Sequence, residues 1–216
     1  MTIKEKINEF LKKLNYTDEE ITALDSSSVY IAQQIAAYAH RKQKRLNGEN
    51  YFTHPYCVMQ LYRNLVGIVE NDYFCMDKDL LESCDIPYNG VQETCLLHDV
   101  LEDTDVSENE IEEVFDKLSL GEYYRSYIKT PLFLITHDKT EDYTTYISKL
   151  IDNQTASLVK FLDMSDNINP SSLIKFSDFE TKRIEKYVFF CKIINDRWHF
   201  LENADNYRKQ FNSTRS

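Results

Sequence analysis

An all-α fold is what this sequence predicts, and three observations predict it. Gly and Pro are scarce, four of each in 216 residues, which leaves little material for the tight turns of an all-β chain. Apolar residues recur at helical spacing over long stretches. Capping residues stand where those stretches begin. The length suits one domain able to bury a sizeable core, and 42% hydrophobic with 28% charged residues is ordinary for a globular protein.

Residues 3–14 carry Ile3, Ile7, Phe10, Leu11 and Leu14 on a helical period. Thr17 or Asp18 can cap a short second helix. Ser26 to Ser28 precede VYIAQQIAAYAHRKQKRL, rich in Ala and strong helix formers. LNGENYFTHP reads as a loop, because Asn47-Gly48 breaks the pattern and Pro55 biases His54 towards an extended backbone. Pro55 suits the first turn of the helix PYCVMQLYRNLV. Residues 67–90 are irregular and read as an insertion with one short helix near 78–83. VQETCLLHDVLEDT follows as a single buried helix. Ser107 and Glu110 form a capping-box pattern for the next one. Further helices are expected at about 122–135, 142–152 and 155–165. Ser177 or Asp178 opens a final helical region through Phe211, broken near Asn203. The expected organisation is an N-terminal helical extension over 1–28, a core over 29–170, and a C-terminal helical region over 171–216 packing on it.

A formal charge of −11 argues against nucleic-acid or anionic-membrane partners, which are held by Lys and Arg. A small anionic ligand stays compatible with local cations such as Arg41, Lys42, Lys44 and Arg45. Five cysteines without CxxC spacing suggest reduced thiols and a cytoplasmic location. No apolar run reaches membrane-spanning length. The aromatic runs YVFFCKII and NDRWHFLENADNY suit core better than a subunit interface, through which an oligomer could form.

Two hexapeptides compete as a chemical site: HDVLED at 98–103 and HDKTED at 137–142. In a helix, His98 and Asp99 present one edge, with Glu102 and Asp103 one turn along beside it. The apolar setting of Cys95 to Leu101 means those polar groups need partners, and a metal ion supplies them. HDKTED lacks that setting. Thr140 can cap the helix that starts there, while Glu141 and Asp142 complement its dipole. The first hexapeptide is therefore the favoured site, with Lys139 at its edge. Two further pieces join it: FTHP places His54 where a loop enters a helix, and LVKFLDMSDN places Asp163 and Asn167 at i and i+4.

In AYAHRKQKRLNGENYFTHP, LLHDVLEDT and LVKFLDMSDN the chain resembles the HD-domain metal-dependent phosphohydrolases, and more closely the RelA/SpoT-type alarmone hydrolases and their small stand-alone relatives. The resemblance implies one divalent ion, usually Mn2+, on His54, His98, Asp99 and Asp163. It implies an acid pair on Glu102 and Asp103, and nucleotide contacts from Arg45 and Asn167. The reaction implied releases pyrophosphate from the 3′ position of guanosine tetra- or pentaphosphate. Lys44, Lys139 or Arg41 can offset phosphate charge, and Arg45 can also stack on a base. Three positions depart from the family pattern: Leu46, Met164 and Asp166, the last two standing where a basic residue and a His or Tyr are common. The same centre would suit another nucleotide, as in a deoxynucleotide 5′-phosphatase or an adenosine-alarmone hydrolase. A non-catalytic nucleotide-binding module is the alternative outside enzymes.

Overall fold

In a computed structural model, residues 27–70, 73–169 and 177–213 are described, together with Glu5, Asn8, Glu9 and Lys12. The apolar positions expected to form helices over 3–14 and after Thr17 lie outside the described residues. Ser27 opens α1 (Ser28–Ala39), its hydroxyl accepting from the Tyr30 amide. The helix stops at His40 rather than running through the basic cluster. Lys44 pairs with Asn50 in an isolated antiparallel bridge, and Gly48 turns the chain at a φ of 88°. Backbone bonds from Arg45 to Glu49 (2.9 Å) and from Tyr51 to Gln43 (3.1 Å) hold this loop shut. The basic cluster thus rides on a small hairpin-like loop that leads into α2 (Thr53–Val66).

The insertion contains a feature that period alone did not reveal, an antiparallel pair β1 (Ile68–Glu70) and β2 (Tyr73–Cys75). A two-stranded ribbon this short leaves the all-α character of the bundle unchanged. The short helix α3 (Lys78–Ser83) falls where it was expected, capped by Asp77. The segment predicted as one buried helix is broken into α4 (Val91–Leu97) and α5 (Val100–Asp103). α6 (Glu108–Lys117) carries the full capping box between Ser107 and Glu110. α7 (Gly121–Tyr123) passes through a π turn (Tyr124–Ile128) into α8 (Lys129–Ile135). Then come α9 (Tyr143–Leu150), α10 (Gln154–Ile168), α11 (Asp178–Trp198) and α12 (Phe200–Ser213). The break in the last region is at His199, with a φ of 54°, and not near Asn203.

Every residue of α4 is buried, and the helix packs against α1, α2 and α10. α10 in turn packs against α2, α8 and α11. Leu96, Leu97, Val58, Tyr62, Leu158 and Val159 fill the space between them with no exposed surface, each large aliphatic contributing about 1.5–3 kcal/mol. Helices α2, α4 and α10 therefore hold one another in place, with His54 at the start of α2, His98 just beyond α4 and Asp163 within α10. Burial pushes the Glu93 carboxyl up, and Ser28 at the start of α1 bonds it, pinning α1 to α4.

Gly90 sets where α4 begins. Its φ is 72°, and a Cβ there would lie 2.4 Å from the Tyr127 carbonyl oxygen. Gly90→Ala should cost roughly 1–3 kcal/mol for the left-handed backbone and a similar amount, ~1–3 kcal/mol, for overpacking the π turn. Denaturant titration checks this; an unchanged midpoint would refute the close packing.

Candidate metal centre

His98 and Asp99 sit in the turn between α4 and α5, not inside one continuous helix. Asp99 has φ −95° and ψ −6°, which swings its side chain back over His98. The His98 Nδ1 faces the Cys95 carbonyl at 2.7 Å. A carbonyl only accepts, so Nδ1 carries a proton, and Nε2 is the nitrogen left to face a ligand. That Nε2 is buried and makes no hydrogen bond. His54, on the first turn of α2, is arranged the same way: Nδ1 is 2.7 Å from the Asp166 carboxylate, so Nε2 points inward.

The inward atoms converge. His54 Nε2 is 3.1 Å from Asp163 Oδ1 and 3.6 Å from Asp99 Oδ2. His98 Nε2 is 3.2 Å from Asp99 Oδ2 and 3.7 Å from Asp163 Oδ1. His54, His98 and Asp163 each offer a donor atom within 4.8 Å of the others'. Lone pairs and carboxylates this close repel without a cation among them, and donors bonded at ~2.1 Å to one ion lie at such separations. Two imidazoles and two carboxylates suit a divalent first-row ion.

Electrostatics keep the carboxylates charged. Burial would protonate Asp163, but Lys160, His54 and His98 hold it well below the usual range. Burial works against Asp99 too, and His98 and His54 hold it down. Burial opposes charge on His98, yet Asp99 and Asp163 raise it well above an ordinary imidazole, so a cation here competes with a proton.

Glu102 and Asp103 follow on α5, at the edge of an open cleft of about 560 Å³ lined also by Arg41, Lys42, Gln43, Asp105 and Lys139. The His137 amide donates to Glu102 Oε2 at 3.1 Å. Burial, with Asp103 and Asp99 nearby, lifts the Glu102 pKa despite that bond and Lys160. Lys139 pairs with Asp103 at 3.1 Å. The second hexapeptide is thus a helix start touching the first one. Its cap is Asp142, which accepts from Thr144 and Thr145; Thr140 instead bonds Asp138.

The three residues expected at the nucleotide have these surroundings. Arg45, expected on the base, lies 3.2 Å from Asp166 Oδ2. Asn167 donates to Asp163 Oδ1 at 2.7 Å. Lys44 is exposed and is not among the residues lining the cleft. The bridge explains it: side chains alternate across extended backbone, so Gln43 and Arg45 turn inward and Lys44 outward.

Sequence reasoning missed two groups. Tyr51 donates to Asp99 Oδ2 at 2.8 Å, and Lys160 donates to Asp163 Oδ2 at 2.8 Å. For Lys160 a signal existed, a lone cation one helical turn before Asp163 in an apolar run.

No family model matches the chain. A protein of Mycoplasma genitalium, named a probable guanosine-3′,5′-bis(diphosphate) 3′-pyrophosphohydrolase, is 25% identical over 196 residues, or 85% of this chain. The chain spans 23% of that relative's length. Among solved structures, a metazoan ortholog of SpoT, described as hydrolysing ppGpp with a role in starvation responses, covers 86% of this chain and 96% of its own. The TM-score is 0.53 at 23% identity. This chain has the fold of that hydrolase. The all-α prediction holds. No helix among the described residues is long and apolar enough to cross a membrane.

Proposed function

We propose that this chain is a metal-dependent guanosine 3′,5′-bis(diphosphate) 3′-pyrophosphohydrolase, with one ion, Mn2+ by preference, held by His54, His98, Asp99 and Asp163. One observation carries the reading: donor atoms of His54, His98 and Asp163, from three separate parts of the chain, lie within 4.8 Å of one another, and Asp99 Oδ2 lies 3.6 and 3.2 Å from the two imidazoles, beside a cleft that holds a carboxyl pair. The similarity to a probable pyrophosphohydrolase of this substrate and to a ppGpp hydrolase supports the choice of nucleotide. A cytoplasmic location fits the free thiols of Cys57, Cys84, Cys95 and Cys191.

The bound ion supplies Lewis-acid stabilisation of phosphoryl charge and acidifies water. The chain's own groups do the rest. Water adds to the phosphorus on the 3′ oxygen, the bond between them breaks, and pyrophosphate leaves while the 3′ oxygen takes a proton. Glu102, whose carboxyl is raised by burial, donates that proton. Asp103, held by Lys139, accepts the proton lost by water. Arg41, Lys42 and Lys139 around the cleft offset the phosphates, which explains how a chain of net charge −11 takes an anionic substrate. Lys42 stands here in place of the expected Lys44.

The test is a hydrolysis panel on Mn2+-loaded protein, with ppGpp, pppGpp, deoxynucleoside 5′-monophosphates and an adenosine alarmone. Pyrophosphate from the first two, and nothing from the others, is the expected result. Turnover of a deoxynucleotide alone would overturn the substrate while keeping the centre.

A further inference from the structure

His54 and Arg45 meet on a single oxygen. Asp166 Oδ2 lies 2.7 Å from His54 Nδ1 and 3.2 Å from Arg45 Nη2, and Asp166 is only 7% exposed. The residue sits one helical turn beyond Asp163 on α10, so the same face carries a candidate ligand and the group that orients another. We propose that Asp166 is a positioning residue that fixes His54 for the ion, with Arg45 as its counter-ion. This rests on the metal-centre reading above.

A carboxylate accepting from a ligand imidazole fixes its tautomer and ring plane and makes the opposite nitrogen more basic. Asp166 offers its carboxylate to His54 in this way. Such a charge is costly in a buried site unless it is paired, and Arg45 pairs it. Each of the three carboxylates around the imidazoles has its own donor: Tyr51 for Asp99, Lys160 for Asp163 and Arg45 for Asp166. Withdrawing Arg45 to a nucleotide would leave Asp166 with His54 as its one remaining hydrogen-bond partner among the described residues. The inward turn of Arg45 and the outward turn of Lys44 in the bridge keep the guanidinium on this oxygen.

Mn2+ affinity, measured by calorimetric titration and by competition with a chelator, tests the assignment. Asp166→Asn keeps the shape and removes the charge; it should weaken Mn2+ binding by ~10–100-fold. Arg45→Gln, a substitution on the loop with less risk to folding, should weaken it in the same direction. The double variant should bind no more weakly than Asp166→Asn alone, because both changes act through one oxygen. Circular dichroism of the metal-free variants separates misfolding from lost affinity. Mn2+ binding unchanged in Asp166→Asn would overturn the proposal, as would an Arg45→Gln variant that raises KM for ppGpp and leaves ion affinity alone. A wild-type chain that takes up no divalent ion would instead bring down the metal centre itself.

Discussion

His98→Ala and Asp163→Ala should each abolish ion uptake and cut kcat/KM by at least ~10³-fold. The Lewis-acid contribution of an ion is worth several kcal/mol, and each ~1.4 kcal/mol is a factor of ten in rate. His98 is the sharper test because its Nε2 is buried and unbonded, so alanine removes an atom with no other use. Asp163 is the more disruptive change. Lys160 donates to its second oxygen and Asn167 to its first, and alanine leaves a buried ammonium without its partner. Asp163→Asn is the companion that keeps packing. The two effects separate in the melting temperature. Wild type should gain stability with Mn2+, about 2.7 kcal/mol at a hundred times the dissociation constant, and His98→Ala should gain none. Metal-free His98→Ala should lose somewhat more stability than a plain large-to-small change, because Asp99 and Asp163 favour the protonated imidazole when no ion is present. Turnover that survives in either variant, after chelation and reconstitution, would dismiss the centre.

How much of this was visible beforehand follows from the range of each interaction. The ligand candidates were legible because each is a local pattern: His54 before Pro55, His98-Asp99 in an apolar stretch, Asp163 and Asn167 one turn apart. Their meeting is a tertiary fact, and it comes from α2 and α10 both packing against α4. Periodicity failed where a break is short. Leu97 and Val100 continue the apolar run through the turn at His98, so the pattern alone joins α4 to α5. The β1–β2 pair escaped for a different reason, as three-residue strands have too few positions to display an alternation. Arg45 is expected on the nucleotide only through the resemblance, since it stands in the loop before the His-Pro step. Its actual direction depends on the bridge between Lys44 and Asn50, which no local propensity announces. Asp166 looked like a simple departure from a family pattern, and only its shared contact with His54 gives it a role. Thr140 and Asp142 were both acceptable caps by type, and the observed register selects Asp142.

Glu102→Gln should lower kcat by ~10²–10⁴-fold while Mn2+ binding stays at the wild-type level. The amide keeps the acceptor for the His137 amide, which bonds Glu102 Oε2 at 3.1 Å, so the loop between α8 and α9 should not move. What disappears is the transferable proton. Burial raises this carboxyl, with Asp103 and Asp99 adding to the rise, so a protonated fraction persists above the ordinary carboxylate range. An acid of this kind makes the wild-type rate fall as pH rises through its pKa, and the variant should lose that limb. Stability follows the same sign. A carboxyl whose folded pKa is raised binds more protons folded than unfolded, so it costs stability as pH climbs from the ordinary carboxylate range through the raised value. Glu102→Gln should therefore be at least as stable as wild type at neutral pH, and far less active. Asp103→Asn should produce a different profile, because its partner Lys139 is on the cleft wall: a raised KM accompanies the lower kcat. Equal kcat in Glu102→Gln and wild type, with the alkaline limb retained, would move the proton donor to another group.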